Sequence, residues 1–402
     1  MATAKTKGAL DGIKVVDLSR VLGGPMCSQA LADHGADVIK VEPPQGDETR
    51  AWGPPFVDGA ASYYLGANRN KRGIAIDLSR DEGRDLVLRF LAEADVLVEN
   101  FRAGTLGKWG LGYDEVLAER FPRLIHCRVS GFGGDGPLGG YPGYDAVVQA
   151  MAGLMSINGT PDSGAVRMGI PIVDLGAGMA AMQGVLLALY EREKSGRGQF
   201  VEASLYNTAV SLLHPHAANW FLSGKLPVRT GNAHPNVVPY DKFETASGEI
   251  FIGIGNDGQF AKLCALLGDA DLAADPRFAS NAERGANRAD LTVALQALMR
   301  AADGKALCDE LLRAGVPAGP VHDIAEVLEH PHTAHHEMVV AQDGYRGTGI
   351  PVKLSRTPGT VRRAPPGFGQ HGREILAEHG IDEDGFDALV NAGVVVTEIT
   401  PR

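Results

Sequence analysis

The feature that most constrains this chain is the alternation of short apolar runs with helical stretches through its first 130 residues. Residues 13–18 carry Val15 and Val16, and Gly23-Gly24-Pro25 opens a helical stretch to about His34. Residues 37–42 form a second apolar run, closed by Pro43-Pro44. The pattern returns with strands at 73–78, 95–100 and 124–129, an amphipathic helix at 81–93 and a helix around 113–121. Helices between strands serve as right-handed crossovers, which make neighbouring strands parallel. The expected class is therefore α/β, with an open, mostly parallel sheet.

After Ser130 the texture changes. Residues 131–143 hold seven glycines and two prolines in thirteen positions, which is a loop. Residues 146–155 and 175–190 read as apolar helices. From about Pro227 strands at 238–243 and 249–254 precede helices at 259–267 and 290–301, a pattern that fits a smaller α+β domain. At 402 residues the chain exceeds the roughly 100–200 of one domain. The expected division is a large domain of 1–205 and 345–402, linkers at 206–230 and 319–344, and a small domain of 231–318.

Charge limits the partners. The formal balance is 38 − 49 = −11, and a general nucleic-acid or anionic-membrane binder needs a basic surface instead. The four cysteines, Cys27, Cys127, Cys264 and Cys308, form no CxxC pair, which leaves no local zinc or redox motif and suits a reducing compartment. The first eight residues lack the apolar core of a secretory signal. The uncharged stretch 203–224 is interrupted by Asn207, His214, Pro215, His216 and Asn219, and 175–190 is too short to span a bilayer. A cytoplasmic protein without membrane or nucleic-acid partners is expected.

Several motifs could carry chemistry. Two G-x-G-x-x-G matches, at Gly131 and Gly253, lack the following helix or the later acidic residue of a dinucleotide site. His330, His332, His335, His336 and Glu337 include a four-residue histidine spacing, but Pro331 interrupts it, and a solvated turn is the expectation. The turn Ser19-Arg20-Val21-Leu22-Gly23-Gly24-Pro25 is either a tight turn or a phosphate seat at a helix N-terminus. Asp174 stands between an apolar run and an apolar helix, where a lone carboxylate is costly to bury. It reads either as a structural cap or as a nucleophile toward an acyl carbon.

As a set, the segments at 10–17, 35–42, 70–72, 98–102, 142–145, 173–176 and 196–199 resemble the family III CoA-transferases, whose relatives include acyl-CoA racemases. These are LDGIKVVD, GADVIKVE, NKR, VENFR, PGYD, VDLG and GRGQ. The resemblance implies a Rossmann-like large domain without a dinucleotide, a smaller inserted domain and an interlocked homodimer. It places the family's nucleophile on Asp174. Its CoA contacts fall on Leu22, Gly23, Ile76, Asp77, Leu78, Ser79, Asn100, Phe101, Arg102, Lys108, Val129, Ser130, Gly131 and Phe132. One arginine of the formyl-CoA transferases is Pro43 here.

Acyl-CoA is then a substrate, no cofactor is tightly bound, and no metal is needed. CoA would pass from an acyl-CoA to a carboxylic acid through an aspartyl anhydride and an aspartyl-CoA thioester. A racemase of this family carries a histidine just before the aspartate of the Pro-Gly-X-Asp segment. Tyr144 stands there, and a phenol is a poor general base at neutral pH. Racemase activity, or CoA binding without catalysis, are the alternatives. Residues 231–240 look like the loop of dicarboxylate CoA-transferases, which implies a succinyl-CoA donor and a short dicarboxylate acceptor. Arg167 and His234 are candidates for holding the acceptor's second carboxylate.

Overall fold

The computed structural model describes residues 7–400, so the first six residues of the expected leaderless N-terminus lie outside it. Within this span the chain forms two compact units. One comprises residues up to Leu154, Arg167–Ala218 and the chain from His332 on; the other comprises Met155–Val166 and Asn219–Pro331.

The first unit is built on a parallel sheet. Its strands are β1 (Lys14–Asp17), β2 (Asp37–Glu42), β3 (Lys71–Ala75), β4 (Val96–Glu99), β5 (Ile125–Ser130) and β6 (Phe200–Ser204), in the spatial order β3-β2-β1-β4-β5-β6. Every pairing is parallel. The last strand is an addition to the sequence reading. Side-chain alternation sends β1 residues to opposite faces. Val15 joins a core with helix α1 (Gly23–Asp33), and Val16 joins one with helix α2 (Asp81–Leu91). Both faces are covered, as a parallel sheet requires.

On the α1 face lie helices α3 (Asp145–Met151), α4 (Ile172–Ser195) and α5 (Leu205–Ser211). The apolar run predicts sixteen residues for α4; it has 24, long and apolar enough to cross a membrane by length and composition alone. It is nonetheless a packed helix, with Val173, Ala177, Ala181, Val185 and Ala188 buried against the sheet. Near its end the guanidinium of Arg192 donates to Asp95 at 2.8 Å.

The second unit has a three-stranded antiparallel sheet, β9-β8-β7, from β7 (Tyr240–Thr245), β8 (Gly248–Gly253) and β9 (Ala318–Pro320). Its core includes Phe243, Ile250, Phe260, Leu295 and Leu311. The glycines after Gly253 follow an antiparallel strand, which is no dinucleotide βαβ unit. The division of the chain also departs from the expected one. Residues 155–166 and 319–331 fold with the second unit, whereas α5 and the hairpin 339–348 fold with the first.

Candidate active site

The strand order reverses direction between β1 and β4, and in such sheets ligands bind in the crevice beyond the carboxyl ends at that point. Here the crevice is framed by the turn after β1 and the segment after β4. Asn100 joins them: its side-chain oxygen accepts from Arg20 N at 2.9 Å and its amide donates to Arg20 O at 2.6 Å. Two adjoining cavities, which share Arg20, Asn100, Phe101 and Arg102, open there, one of about 960 Å³ and one of about 270 Å³.

Ile76, Asp77, Leu78 and Ser79 line the larger cavity, as do Pro43 and Pro44. Leu22, Gly23, Val129, Ser130, Gly131 and Asp174 line the smaller. The chain thus brings most of the expected CoA positions onto the walls of these two adjoining cavities. Lys108 is exposed and outside both walls, one residue from Trp109, which does line the larger cavity. Phe132 packs against the α1-side core and the ring of Tyr206. Arg20, outside the named set, has its Nε buried without a hydrogen-bond partner among the described residues. That is a donor available to an anionic ligand.

Asp174 lies in the first turn of α4, beside the first turn of α1. A side chain on Gly23 would stand 3.8 Å from Asp174 Oδ1 and 3.1 Å from Val129. One on Gly178 would stand 2.7 Å from the carbonyl of Gly23. The two helices therefore meet backbone to backbone, and glycine is required for that approach.

Asp145 is the residue that sequence reasoning passed over as chemistry. Its Oδ2 accepts from Val173 N at 2.7 Å and Asp174 N at 3.2 Å, and Gln149 donates to its Oδ1 at 2.6 Å. Asp145 is buried. It takes the amide donors at the start of α4 that would otherwise ease the charge of Asp174. Burial, followed by the negative charge of Asp145, raises the Asp174 carboxyl from its ordinary 3.8 to about 7. The same two carboxylates add to burial in raising the phenol of Tyr63. The Pro-Gly-Tyr-Asp segment was the available signal, but nothing in it tells that its aspartate caps a helix 29 residues on.

The glycine-rich loop forms the rest of the wall, with Gly133, Gly140, Tyr141, Pro142 and Gly143 on the smaller cavity. Its ends meet closely, since a side chain on Gly131 would stand 2.6 Å from Gly143 N. Glu202 anchors it by accepting from Gly134 N at 3.3 Å and Arg128 Nε at 2.9 Å. Glu48 and Tyr144 also reach this cavity.

The remaining sequence candidates lie elsewhere. Arg167 is exposed, donates to the carbonyl of Met168 at 2.9 Å and lines neither cavity. His234 belongs to the second unit, where Nδ1 accepts from Asn236 N at 3.0 Å and Val237 N at 3.1 Å. Residues 331–335 form one short helical turn, and His332 and His336 meet ring to ring at 4.4 Å. Among the described residues no group of three or more histidine, cysteine or acidic side chains is placed to hold a metal.

The sheet order thus sets an aspartate at a glycine-lined cavity beside a larger crevice of about 960 Å³. Residues 10–372 match the model of CoA-transferase family III. The chain belongs to that family. This family III CoA-transferase is 40% identical over 384 residues to succinate–glutarate CoA-transferase of Agrobacterium fabrum, spanning 92% of this chain and 96% of that one. It is also 40% identical to acetyl-CoA:oxalate CoA-transferase of Acetobacter aceti over 354 residues, 88% of this chain and 90% of the other. Among solved structures, a CaiB/BaiF family protein of Brucella suis superposes with a TM-score of 0.84 at 42% identity, covering 93% of this chain and all of that one. The transferase is thus an enzyme that uses acyl-CoA.

Proposed function

We propose that this enzyme moves CoA from succinyl-CoA to a short dicarboxylic acid longer than oxalate, of about glutarate size, with Asp174 as the nucleophile. The observation that carries the nucleophile is Asp174 itself, on the wall of the smaller of two adjoining cavities, with a carboxyl that titrates near neutrality. A more basic carboxylate is the better nucleophile toward a thioester, and at about neutral pH a large fraction is ionised.

The Asp174 carboxylate attacks the donor's thioester carbonyl and expels CoA as thiolate, which gives a mixed anhydride. The thiolate then attacks the aspartyl carbonyl and expels the donor acid, leaving Asp174 as its CoA thioester. The acceptor carboxylate attacks that thioester and again releases thiolate. A last attack on the acceptor's acyl carbon restores the Asp174 carboxylate and forms the new acyl-CoA. Each anhydride is open to hydrolysis, so the glycine-rich wall has to keep water away. Its backbone N–H groups, with those of the first turn of α1, are suited to the oxyanions. Arg20 and Arg102 are suited to CoA phosphates.

The glutarate-sized reading draws on the Agrobacterium fabrum relative and on residues 231–240, which look like the loop of dicarboxylate CoA-transferases. Arg167 is proposed to hold the acceptor's second carboxylate, and His234→Ala is the parallel test for the second candidate. Tyr144 in place of a histidine argues against racemisation. We further place the enzyme in a homodimer. Met179, Leu187 and Tyr190 on α4 are 62–67% exposed, an apolar face that a second copy would cover.

The test is a panel of acids incubated with succinyl-CoA and read by mass spectrometry, beside hydroxylamine trapping and Asp174→Ala. Transfer to glutarate-sized acids, an adduct on the peptide carrying Asp174 and a folded, inactive variant are expected. Transfer only to oxalate or monocarboxylates overturns the acceptor, and full activity in Asp174→Ala overturns the nucleophile. Size-exclusion chromatography with light scattering decides the dimer.

A further inference from the structure

Beneath the turn that faces Asp174 lies a group of buried charges that the transfer chemistry does not use directly. Asp17, Lys40, Lys71 and Asp47 are each 0–1% exposed. Lys71 donates to Asp17 at 3.0 Å, to the carbonyl of Pro25 at 2.9 Å and to Asn68 at 2.9 Å. Lys40 donates to the carbonyl of Ser19 at 2.9 Å and to Asp47 at 3.1 Å. Each lysine therefore grips one end of the segment 19–25 by a backbone oxygen.

Asp47 has the widest reach. It accepts from Val21 N at 3.3 Å, from Thr49 N at 3.1 Å, from Thr49 Oγ1 at 2.7 Å and from Lys40. Thr49 belongs to the 3₁₀ turn Glu48–Ala51, which brings Glu48 to the cavity of Asp174. One carboxylate thus ties together two walls of that cavity. Val21, on the first of these walls, has φ of +69°. A β-branched residue reaches that conformation only when its surroundings impose it, and such strain concentrates at functional sites.

We propose that Asp47, paired with Lys40, is a positioning residue of the transfer reaction, holding Val21 in the left-handed conformation so that the first turn of α1 faces Asp174. The inference rests on Asp174 being the nucleophile. Asp47 touches no substrate; it acts through Val21, and its loss appears in turnover. Lys40 sits on Oδ2 and Val21 N on Oδ1. Asn keeps the shape but has one acceptor, and with that oxygen turned to the ammonium of Lys40 its NH2 faces Val21 N and the hold is lost.

The test is a double-mutant cycle between Asp47→Asn and Val21→Gly, read as kcat and as KM for acyl-CoA, with the Asp174 adduct trapped in the wild type. Asp47→Asn in the Val21 background is expected to lower kcat by roughly 30- to 100-fold, the size of effect a small displacement at the reacting groups produces. Glycine needs no outside hold at positive φ, so in the Val21→Gly background the same change should cost kcat no more than about threefold. KM for acyl-CoA should move by less than about threefold, because the phosphate-facing arginines are untouched. Equal losses in the two backgrounds, or a fall in melting temperature with unchanged kcat, overturn the inference. A wild type without an adduct on Asp174 overturns both it and the nucleophile reading, whereas an adduct with an uncoupled cycle overturns this inference alone. Should Asp47→Asn be recovered only as aggregate, Lys40→Met with Asp47→Asn removes the leftover buried ammonium and carries the same cycle.

Discussion

Asp145 caps the helix that carries Asp174, its Oδ2 accepting from the backbone N–H of Asp174 at 3.2 Å. The same contact that fixes the proposed nucleophile in place sets a second negative charge beside it. Position and reactivity are therefore coupled through one side chain.

The first consequence is a pH profile. On the proposed mechanism Asp174 attacks as the carboxylate, and its carboxyl titrates at about 7. For the free enzyme, kcat/KM should rise with pH to a plateau above about 7 and fall about tenfold per pH unit below it. Asp145→Asn removes the repelling charge but keeps an acceptor for the amides. Its midpoint should move to lower pH, and an unchanged midpoint would show that burial alone sets the value.

Stability should carry the opposite sign. A carboxyl raised on folding binds its proton more tightly in the folded state, so it disfavours folding increasingly as pH rises from 3.8 to about 7. The penalty is absent below that window and complete above it. Asp174→Asn should therefore unfold at higher denaturant than wild type at pH 8 and at the same denaturant at pH 3.5. The ceiling on the gain is roughly 4 kcal/mol, and solvent in the open cavity reduces it.

The arginines and Lys108 should separate in CoA affinity. Arg20 and Arg102 line both cavities, whereas Lys108 is exposed outside them. Arg102→Ala should raise KM for acyl-CoA by about tenfold or more, the loss of a charge-assisted contact to phosphate. Lys108→Ala should raise it less. The reverse order in steady-state kinetics would move the phosphates away from the crevice.

Gly178→Ala tests the helix contact. In an open helix the exchange would gain about 1 kcal/mol. Here the new carbon would stand 2.7 Å from the Gly23 carbonyl, a backbone atom that cannot turn aside. A net loss of about 1–3 kcal/mol is expected, together with lower kcat as α4 shifts. Urea titration and turnover read the two effects; a stabilised, fully active variant would contradict the close crossing.

The parallel sheet was legible because its central strands are continuous apolar runs separated by helix-forming stretches. The sixth strand was not. Phe200–Ser204 is an edge strand of mixed polarity, with no periodicity to mark it. Asp174 stood out as a carboxylate in apolar surroundings, whereas Asp145 becomes meaningful only through a contact across 29 residues. The buried charges were hidden for a different reason. Lys40 and Lys71 lie in strands where a lysine reads as solvent-facing, and only the fold brings Asp17 and Asp47 to them. Residues 155–166 show the same limit, since their place in the second unit depends on partners far along the chain, such as Gly231 N donating to Gly159 O at 2.9 Å.

The position of Asp145 also bears on the resting energy of the covalent intermediates. On the proposed mechanism, acylation turns the Asp174 carboxylate into a neutral anhydride or thioester, and the repulsion between the two aspartates ends at that step. The free carboxylate is thereby lifted toward its acylated forms, which eases the otherwise uphill formation of the anhydride. A catalyst of this design gains in either direction of transfer, because the donor and the acceptor acyl-CoA would meet the same destabilised carboxylate.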